Sequence, residues 1–317
     1  MPSSILGHLY EAQARYNLNF TGPEPDKTAW TQQYLLGLVS EIDEVLREIN
    51  WKPHRNAYKE VNPDNLGQEL ADLTKYVLSL WILWGFKAED MLTYVTNKSK
   101  VLEFLYTQEH RPPLGWPVVV CDLDGVLANY QWGFLKWVKD SGQWDLDDDA
   151  CQRAVYSLHM DLTLGIPNVK YEQMKRAFEE WGGFLRLPPY PGIPTLIGVL
   201  KETQAHLVVV TARPMYQRKR LSMDTLLWLE QQGLSVEGLY FDEDKVELIH
   251  NLWGNHVLCC IEDNPLVAER LSKQGYLVIL MDRPYNRRLK VAKDSVFRVK
   301  DLAVAGKILA KLKGRAG

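Results

Sequence analysis

Val118-Val119-Val120-Cys121-Asp122-Leu123-Asp124-Gly125-Val126-Leu127 is the stretch on which the reading of this chain turns. Its first four residues form an unbroken apolar run, which suits a central parallel strand covered on both faces. The run stops at two alternating carboxylates. In extended backbone, residues i and i+2 point the same way, so Asp122 and Asp124 face one side, and Gly125 permits the sharp turn that follows. Two later runs have the same form. Leu207-Val208-Val209-Val210 ends in Thr211-Ala212-Arg213-Pro214, and Val257-Leu258-Cys259-Cys260-Ile261 ends in Glu262-Asp263-Asn264-Pro265. Open parallel sheets bind ligands at the carboxyl ends of their strands, so three polar clusters are expected to converge on one crevice. Crowded carboxylates repel, and a divalent cation relieves them; oxygen donors favour magnesium.

Working outward, amphipathic segments separate these runs, the signature of a parallel sheet with crossover helices. Roughly 85 residues lie between the first two polar clusters, more than a direct crossover needs. Amphipathic segments near Trp132 to Lys139, Asp148 to His159 and Lys170 to Trp181 predict a helical cap at about 130–186 that covers the crevice. Upstream, the chain reads as helical until Arg111-Pro112-Pro113-Leu114-Gly115-Trp116-Pro117 breaks it. The expected fold is therefore multi-domain: an all-α helical bundle over residues 1–112, then an α/β, Rossmann-like domain over residues 113–317.

Composition narrows the function classes. A net charge of −3 over 317 residues argues against a nucleic-acid binder, which carries a basic excess. No basic segment followed by a long apolar run opens the chain, and the apolar stretch from Tyr76 to Phe86 is too short for a bilayer. Cys121, Cys151, Cys259 and Cys260 show no paired metal spacing and read as buried thiols, so a cytoplasmic location is expected.

In the helical part, Leu35, Leu38, Ile42, Val45 and Ile49 share a face, with Glu41 and Glu44 beside it. After Asn62-Pro63-Asp64, Leu66, Leu70, Leu73, Val77 and Trp81 form a second stripe, with Glu69 and Asp72 beside it. Packing stripe on stripe brings four carboxylates to one rim; a solvated charged face is the plainer alternative. Few basic residues stand at i+4 to these acids. Asn97 and Lys98 downstream, and Trp51, Lys52 and Arg55 directly after the first acid helix, supply amide, aromatic and cationic partners for a phosphorylated ligand.

Asp122-Leu123-Asp124-Gly125-Val126-Leu127-Ala128 resembles the first motif of the haloacid dehalogenase (HAD) superfamily, the resemblance extending over roughly residues 116 to 300. It implies that Asp122 attacks phosphorus and that Asp124 is the general acid and base. It implies further that the Thr211 hydroxyl binds the phosphoryl group and that Lys245 neutralises nucleophile and phosphate. Asp263, aided by Glu262, would hold Mg2+ together with Asp122 and the Asp124 carbonyl. Glu262 replaces the commoner Asp, which leaves the division of ligation between Glu262 and Asp263 open. Thr211 also reads as a helix cap, and Lys245 as a surface ion pair. The stretch Gly182 to Gly192 is similar to the deoxyribonucleotidase branch, which implies a nucleoside monophosphate substrate, with Arg213 among its contacts and Phe134, Trp137 or Phe184 as base-stacking candidates.

Glu41-x-x-Glu44 followed by Glu69-x-x-Asp72, with Asn50-Trp51-Lys52-Pro53 and Asn97-Lys98, resembles the all-α NTP pyrophosphatases, MazG and the dimeric dUTPases and dCTPases, phage types especially. That resemblance spans about residues 5 to 108. It implies Mg2+ on the four acids, release of pyrophosphate from a dNTP, and a homodimer or homotetramer formed through the helical domain. A phage origin in a host cytoplasm rests on the resemblance alone. Together the two halves imply a bifunctional nucleotide hydrolase. Pyrimidine bases are favoured and a purine stays open. Two other readings stand beside it: a phosphatase with a non-catalytic helical dimerisation or nucleotide-binding module, or a phosphatase of 3′-phosphates on nucleic-acid ends. No membrane partner and no specific nucleic-acid partner are expected.

Overall fold

The computed structural model describes residues 5–49, 51, 60–111, 113–157, 159–214, 220–287 and 295–316, with side chains to residue 313. The chain divides into two compact units, Met1–Ser99 and Lys100–Gly317. This division falls upstream of the Pro/Gly-rich break.

The first unit is helical: α1 (Ile5–Thr21), α2 (Lys27–Glu48), α3 (Pro63–Leu83) and the first part of α4 (Ala88–His110). Two starts carry the expected chemistry. The Asp26 carboxylate accepts from the amides of Thr28 and Ala29, and the Asn62 side chain accepts from Asp64 and Asn65, with Pro63 in the first turn. Its small core gathers Tyr10, Leu78 and Ala88, with Leu6, Trp81, Ile82 and Met91 against them.

Helices α2 and α3 pack together, but not stripe on stripe as the sequence predicted. Leu35, Ile42, Leu70 and Val77 stay exposed. The contact instead runs through Tyr34 and Gly37 of α2 and Tyr76 of α3. The two tyrosine rings meet edge to face, and any side chain at Gly37 would run into Tyr76. A glycine opposite a large ring lets the helices approach on a neighbouring face. The apolar face of each is thus only partly covered: Leu38, Val45, Leu66 and Leu73 are half-buried while Leu35, Ile42, Leu70 and Val77 are exposed.

The second unit carries a six-stranded parallel sheet in the order β3-β2-β1-β4-β5-β6. The strands are β1 (Val118–Cys121), β2 (His206–Thr211), β3 (Gly238–Phe241), β4 (Val257–Glu262), β5 (Val278–Met281) and β6 (Val296–Val299). Alternate residues feed opposite faces, as strand geometry requires. Val119, Cys121, Val209, Cys259 and Ile279 enter one core, while Val118, Val120, Val208, Cys260 and Leu280 enter the other. Burial on both faces explains the continuous apolar runs. The strand order reverses between β1 and β4, and at such a switch point the loops diverge and leave a crevice.

Between β1 and β2 lie α5 (Tyr130–Asp140), α6 (Asp148–Ala154), α7 (Met160–Leu164), α8 (Asn168–Glu180) and α9 (Ile193–Thr203). Phe134, Phe178 and Phe184 pack with Trp137 as the aromatic centre of this insertion. The remaining helices, α10 (Leu221–Gln231), α11 (Lys245–Leu252), α12 (Pro265–Lys273) and α13 (Leu302–Ala316), follow β2, β3, β4 and β6.

Candidate active sites

At the switch point the strand-end clusters meet as the sequence expects. Asp122 follows β1, Thr211 closes β2, Glu262 closes β4, and Lys245 opens α11 beneath the Asp244 cap. Carboxylate oxygens of Asp122, Glu262 and Asp263 lie within 4.8 Å of one another. The Lys245 ammonium reaches Asp122 at 3.1 Å and Glu262 at 2.7 Å, and its side chain is only 6% exposed. It is therefore a buried counter-charge and not a surface ion pair.

The electrostatics follow from burial. Asp122 is pushed up to about 7, by burial first and then by the neighbouring Glu262, against the pull of Lys245. Burial and the same acidic neighbours raise Asp263 well above the carboxylate range. Burial works against ionisation of Glu262 too, but Lys245 and the backbone amides overturn it and hold the carboxyl low. Burial alone would lower Lys245; the Asp122 and Glu262 charges raise it instead.

Glu262 and Asp263 differ in what they have left to offer. One Glu262 oxygen takes Lys245, and the other accepts the amides of Asp263 and Asn264, each at 3.0 Å. Asp263 accepts only the Tyr285 hydroxyl at its carboxylate, among the described residues. Two buried, mutually repelling acids, Asp122 and Asp263, each with oxygen to spare, fit a hard divalent cation such as Mg2+. Glu262 fits better as the group that fixes Lys245.

Asp124 is held by Arg213, whose Nε and Nη2 donate to its two oxygens at 2.7 and 2.6 Å. Arg213 is itself fixed from behind: it donates to Thr225 at 2.8 Å and lies over the Phe184 ring at 4.2 Å. Thr211 accepts the Arg213 amide at 3.4 Å through its hydroxyl, so it caps a local turn while remaining at the crevice. A cavity of about 250 Å³ is lined by Asp122, Asp124, Thr211 and Arg213 from the sheet and by Tyr130, Lys175 and Phe184 from the insertion. Phe134 and Trp137 are buried in the insertion core and are not among the residues lining this cavity, so of the three base-stacking candidates Phe184 alone lines it.

One cluster escaped the sequence reading. Asp282-Arg283-Pro284-Tyr285-Asn286 follows β5, and with that strand it has the same run-then-polar form as the three recognised clusters. Arg283, buried against Tyr190, donates to the Gly125 carbonyl, and Asn286 donates to the Asp263 carbonyl at 2.7 Å. Gly125 adopts φ +83°, and a side chain there would strike Asp263.

In the helical unit, Glu41, Glu69 and Asp72 also bring carboxylate oxygens within 4.8 Å of one another. Glu44 joins them: both Glu41 and Glu69 are raised, first by what desolvation they feel and then by the Glu44 charge. The acids meet although the two stripes are only partly buried. A cation does serve these acids, at i+3 and not i+4: Lys75 pairs with Asp72 at 3.0 Å. Beside the acids a cavity of about 430 Å³ is lined by Trp30, Tyr34, Tyr76 and a buried amide network. In that network Gln13 donates to Asn17 at 2.9 Å and to Ser79 at 3.0 Å. Asn97 is half-buried and Lys98 exposed on α4, and neither lines this cavity; Trp51 is exposed. Lys52 and Arg55 lie outside the described residues.

No protein-family model matches the chain. A curated protein of Oceanobacillus iheyensis, named as a candidate nucleotidase, is 29% identical over 112 residues, which is 34% of this chain and 56% of that protein. The chain thus spans about half the length of the curated relative it matches. Among solved structures, a predicted phosphatase from Clostridium acetobutylicum is 17% identical with a TM-score of 0.45, covering 62% of this chain and 100% of that one. A HAD-hydrolase of Bacillus subtilis, solved with magnesium, is 13% identical with a TM-score of 0.43, covering 62% of this chain and 99% of that one. Among the described residues no helix is long and apolar enough to cross a membrane.

Proposed function

We propose that the α/β unit is a Mg2+-dependent phosphatase of the HAD type acting on a nucleoside monophosphate. The observation that carries this reading is the buried Lys245 ammonium 3.1 Å from Asp122, at the strand ends where Asp124, Thr211 and Asp263 also lie. Asp122 attacks phosphorus, the bond to the ester oxygen breaks, and Asp124 gives that oxygen its proton. A water then attacks the aspartyl-phosphate, Asp124 takes its proton, and phosphate leaves with Asp122 restored. Lys245 and the Thr211 hydroxyl bind the non-bridging oxygens. Asp122, Asp263 and the Asp124 carbonyl would hold Mg2+, which would supply positive charge against the phosphoryl group. Arg213 now occupies both Asp124 oxygens, so the acid step requires its guanidinium to release one, and a phosphoryl group is a suitable new partner for it. The helical insertion acts as the cap, and Lys175 and Phe184 face the substrate from it. The name of the Oceanobacillus relative supports a nucleotide as substrate.

The helical unit, in this proposal, is an NTP pyrophosphohydrolase. Glu41, Glu44, Glu69 and Asp72 would hold Mg2+, whose charge would offset theirs and let the triphosphate approach, and the neighbouring cavity of aromatic rings and buried amides receives the base. The chain would then take a dNTP, pyrimidines favoured, to the monophosphate plus pyrophosphate, and on to the deoxynucleoside plus phosphate. The exposed apolar faces around Leu35, Val39 and Ile42 and around Leu70 and Val77 support a homodimer or homotetramer through this unit. Incubation with each dNTP and Mg2+, with products identified by chromatography, tests the whole scheme. Deoxynucleoside with both pyrophosphate and phosphate is the expected outcome, and intact dNTP overturns it.

A second reading draws on Lys75, which neutralises part of the acid cluster without metal. In it the helical unit only binds nucleotide or pairs subunits. Nucleotide affinity without pyrophosphate release at saturating Mg2+ decides for it.

A further inference from the structure

We infer that Tyr285 makes the strand-end crevice select Mg2+ over Ca2+ by leaving Asp263 a single free oxygen. This rests on the phosphatase reading of that crevice and goes beyond it to the origin of metal choice. Oxygen by oxygen, the donors are few. One Asp122 oxygen faces Lys245, both Glu262 oxygens are taken, and one Asp263 oxygen accepts the Tyr285 hydroxyl. What remains without a side-chain donor is one oxygen on Asp263 and one on Asp122, whose carboxylate also accepts the Leu123 amide. Mg2+ favours six ligands in a strict octahedron with one-oxygen carboxylates, whereas Ca2+ takes more ligands and welcomes two-oxygen carboxylates.

Asp263 has little freedom to offer its second oxygen by turning. That oxygen abuts Gly125, where even a methyl group would collide with it. The Asp263 backbone carbonyl is held by Asn286 at 2.7 Å. Tyr285 is just as firmly placed. Its neighbour Arg283 is buried, donates to the Gly125 carbonyl at 2.5 Å and lies 3.5 Å over Tyr190. Asn286, on the other side, also donates to the Met281 carbonyl at 2.8 Å. The turn after β5 therefore clamps the loop after β1 and the loop after β4 in one grip, with the phenol as the part that touches the acid. Tyr285 acts through Asp263 and is a positioning residue, not a catalytic one.

The test is calorimetric titration of the full chain with Mg2+ and with Ca2+, in a Glu69→Gln background that weakens the helical cluster. Loss of a binding component on Asp263→Asn identifies the crevice. Tyr285→Phe is expected to shift the Ca2+ to Mg2+ affinity ratio towards calcium by about tenfold, the usual scale for a partner behind a metal ligand. If the crevice component is present and the ratio does not move, the inference is overturned while the phosphatase reading stands. If wild type shows no component sensitive to Asp263→Asn, the reading of the crevice fails first. Should the Phe variant not fold, Asp263→Glu carries the carboxylate past the phenol and is expected to show the same swing; an unchanged ratio there overturns the inference as well.

Discussion

The two acid clusters of this chain each bring three carboxylates within 4.8 Å of one another and solve opposite problems. In the strand-end crevice Asp122, Glu262 and Asp263 are buried, and a buried lysine stands among them. In the helical unit Glu41, Glu69 and Asp72 are half-exposed, and Lys75 at their edge is exposed as well. Water screens the second cluster; the first relies on the Lys245 charge, on the Tyr285 hydroxyl and on backbone amides. The difference teaches that a buried cluster betrays its chemistry through the groups it cannot do without, whereas an exposed one has to be tested by ligand.

The largest expected effect separates the two. Asp122→Asn removes the nucleophile and is expected to lower monophosphate hydrolysis by about 10³-fold or more while pyrophosphate release continues. Glu69→Gln should do the converse, with products followed by chromatography. Loss of both activities in either folded variant breaks the comparison. Next comes Lys245→Met, which strands two buried carboxylates and is expected to destabilise the protein by about 3–5 kcal/mol in denaturant unfolding. Lys75→Met, at the exposed cluster, is expected to leave the midpoint nearly unchanged.

A pH series sharpens the contrast. Asp122 sits at about 7 in the folded protein against an ordinary value of 3.8. The fold therefore holds a proton that the unfolded chain gives up. Its contribution to stability is complete at the acid end and is lost as pH rises through about 7. Without metal, the melting temperature of wild type should fall more steeply from pH 5 to 8 than that of Asp122→Asn. Mg2+ should raise it more at pH 8 than at pH 5. Equal slopes for the two proteins would remove Asp122 from the account.

The smallest effect concerns association. Val39→Lys places a charge on the exposed face of α2, where Val39 is 65% exposed. It should shift light-scattering mass toward monomer with a melting temperature close to wild type. An unchanged mass removes that face as the contact.

Much of the crevice was legible in advance because parallel strands obey a simple rule: an apolar run buried on both faces must end at one edge, and polar residues placed there meet. Asp122, Asp124, Thr211 and Asp263 follow from that rule and a few residues of local pattern each. Lys245, the opening residue of α11, has no such run before it and came from resemblance. The turn Asp282 to Asn286 follows the same rule after β5 and carried a readable signal.

What the chain alone determined is what periodicity and strand ends encode: a helical part, a parallel sheet, and acids gathered in two places. Tertiary structure decided which partners those acids keep. Arg213 on Asp124, Tyr285 on Asp263 and Gly37 beneath Tyr76 join residues far apart in sequence, through shapes and distances that no local pattern specifies. Hydrogen bonds and ring contacts of that kind depend on how whole elements pack, so they exist only once the fold does.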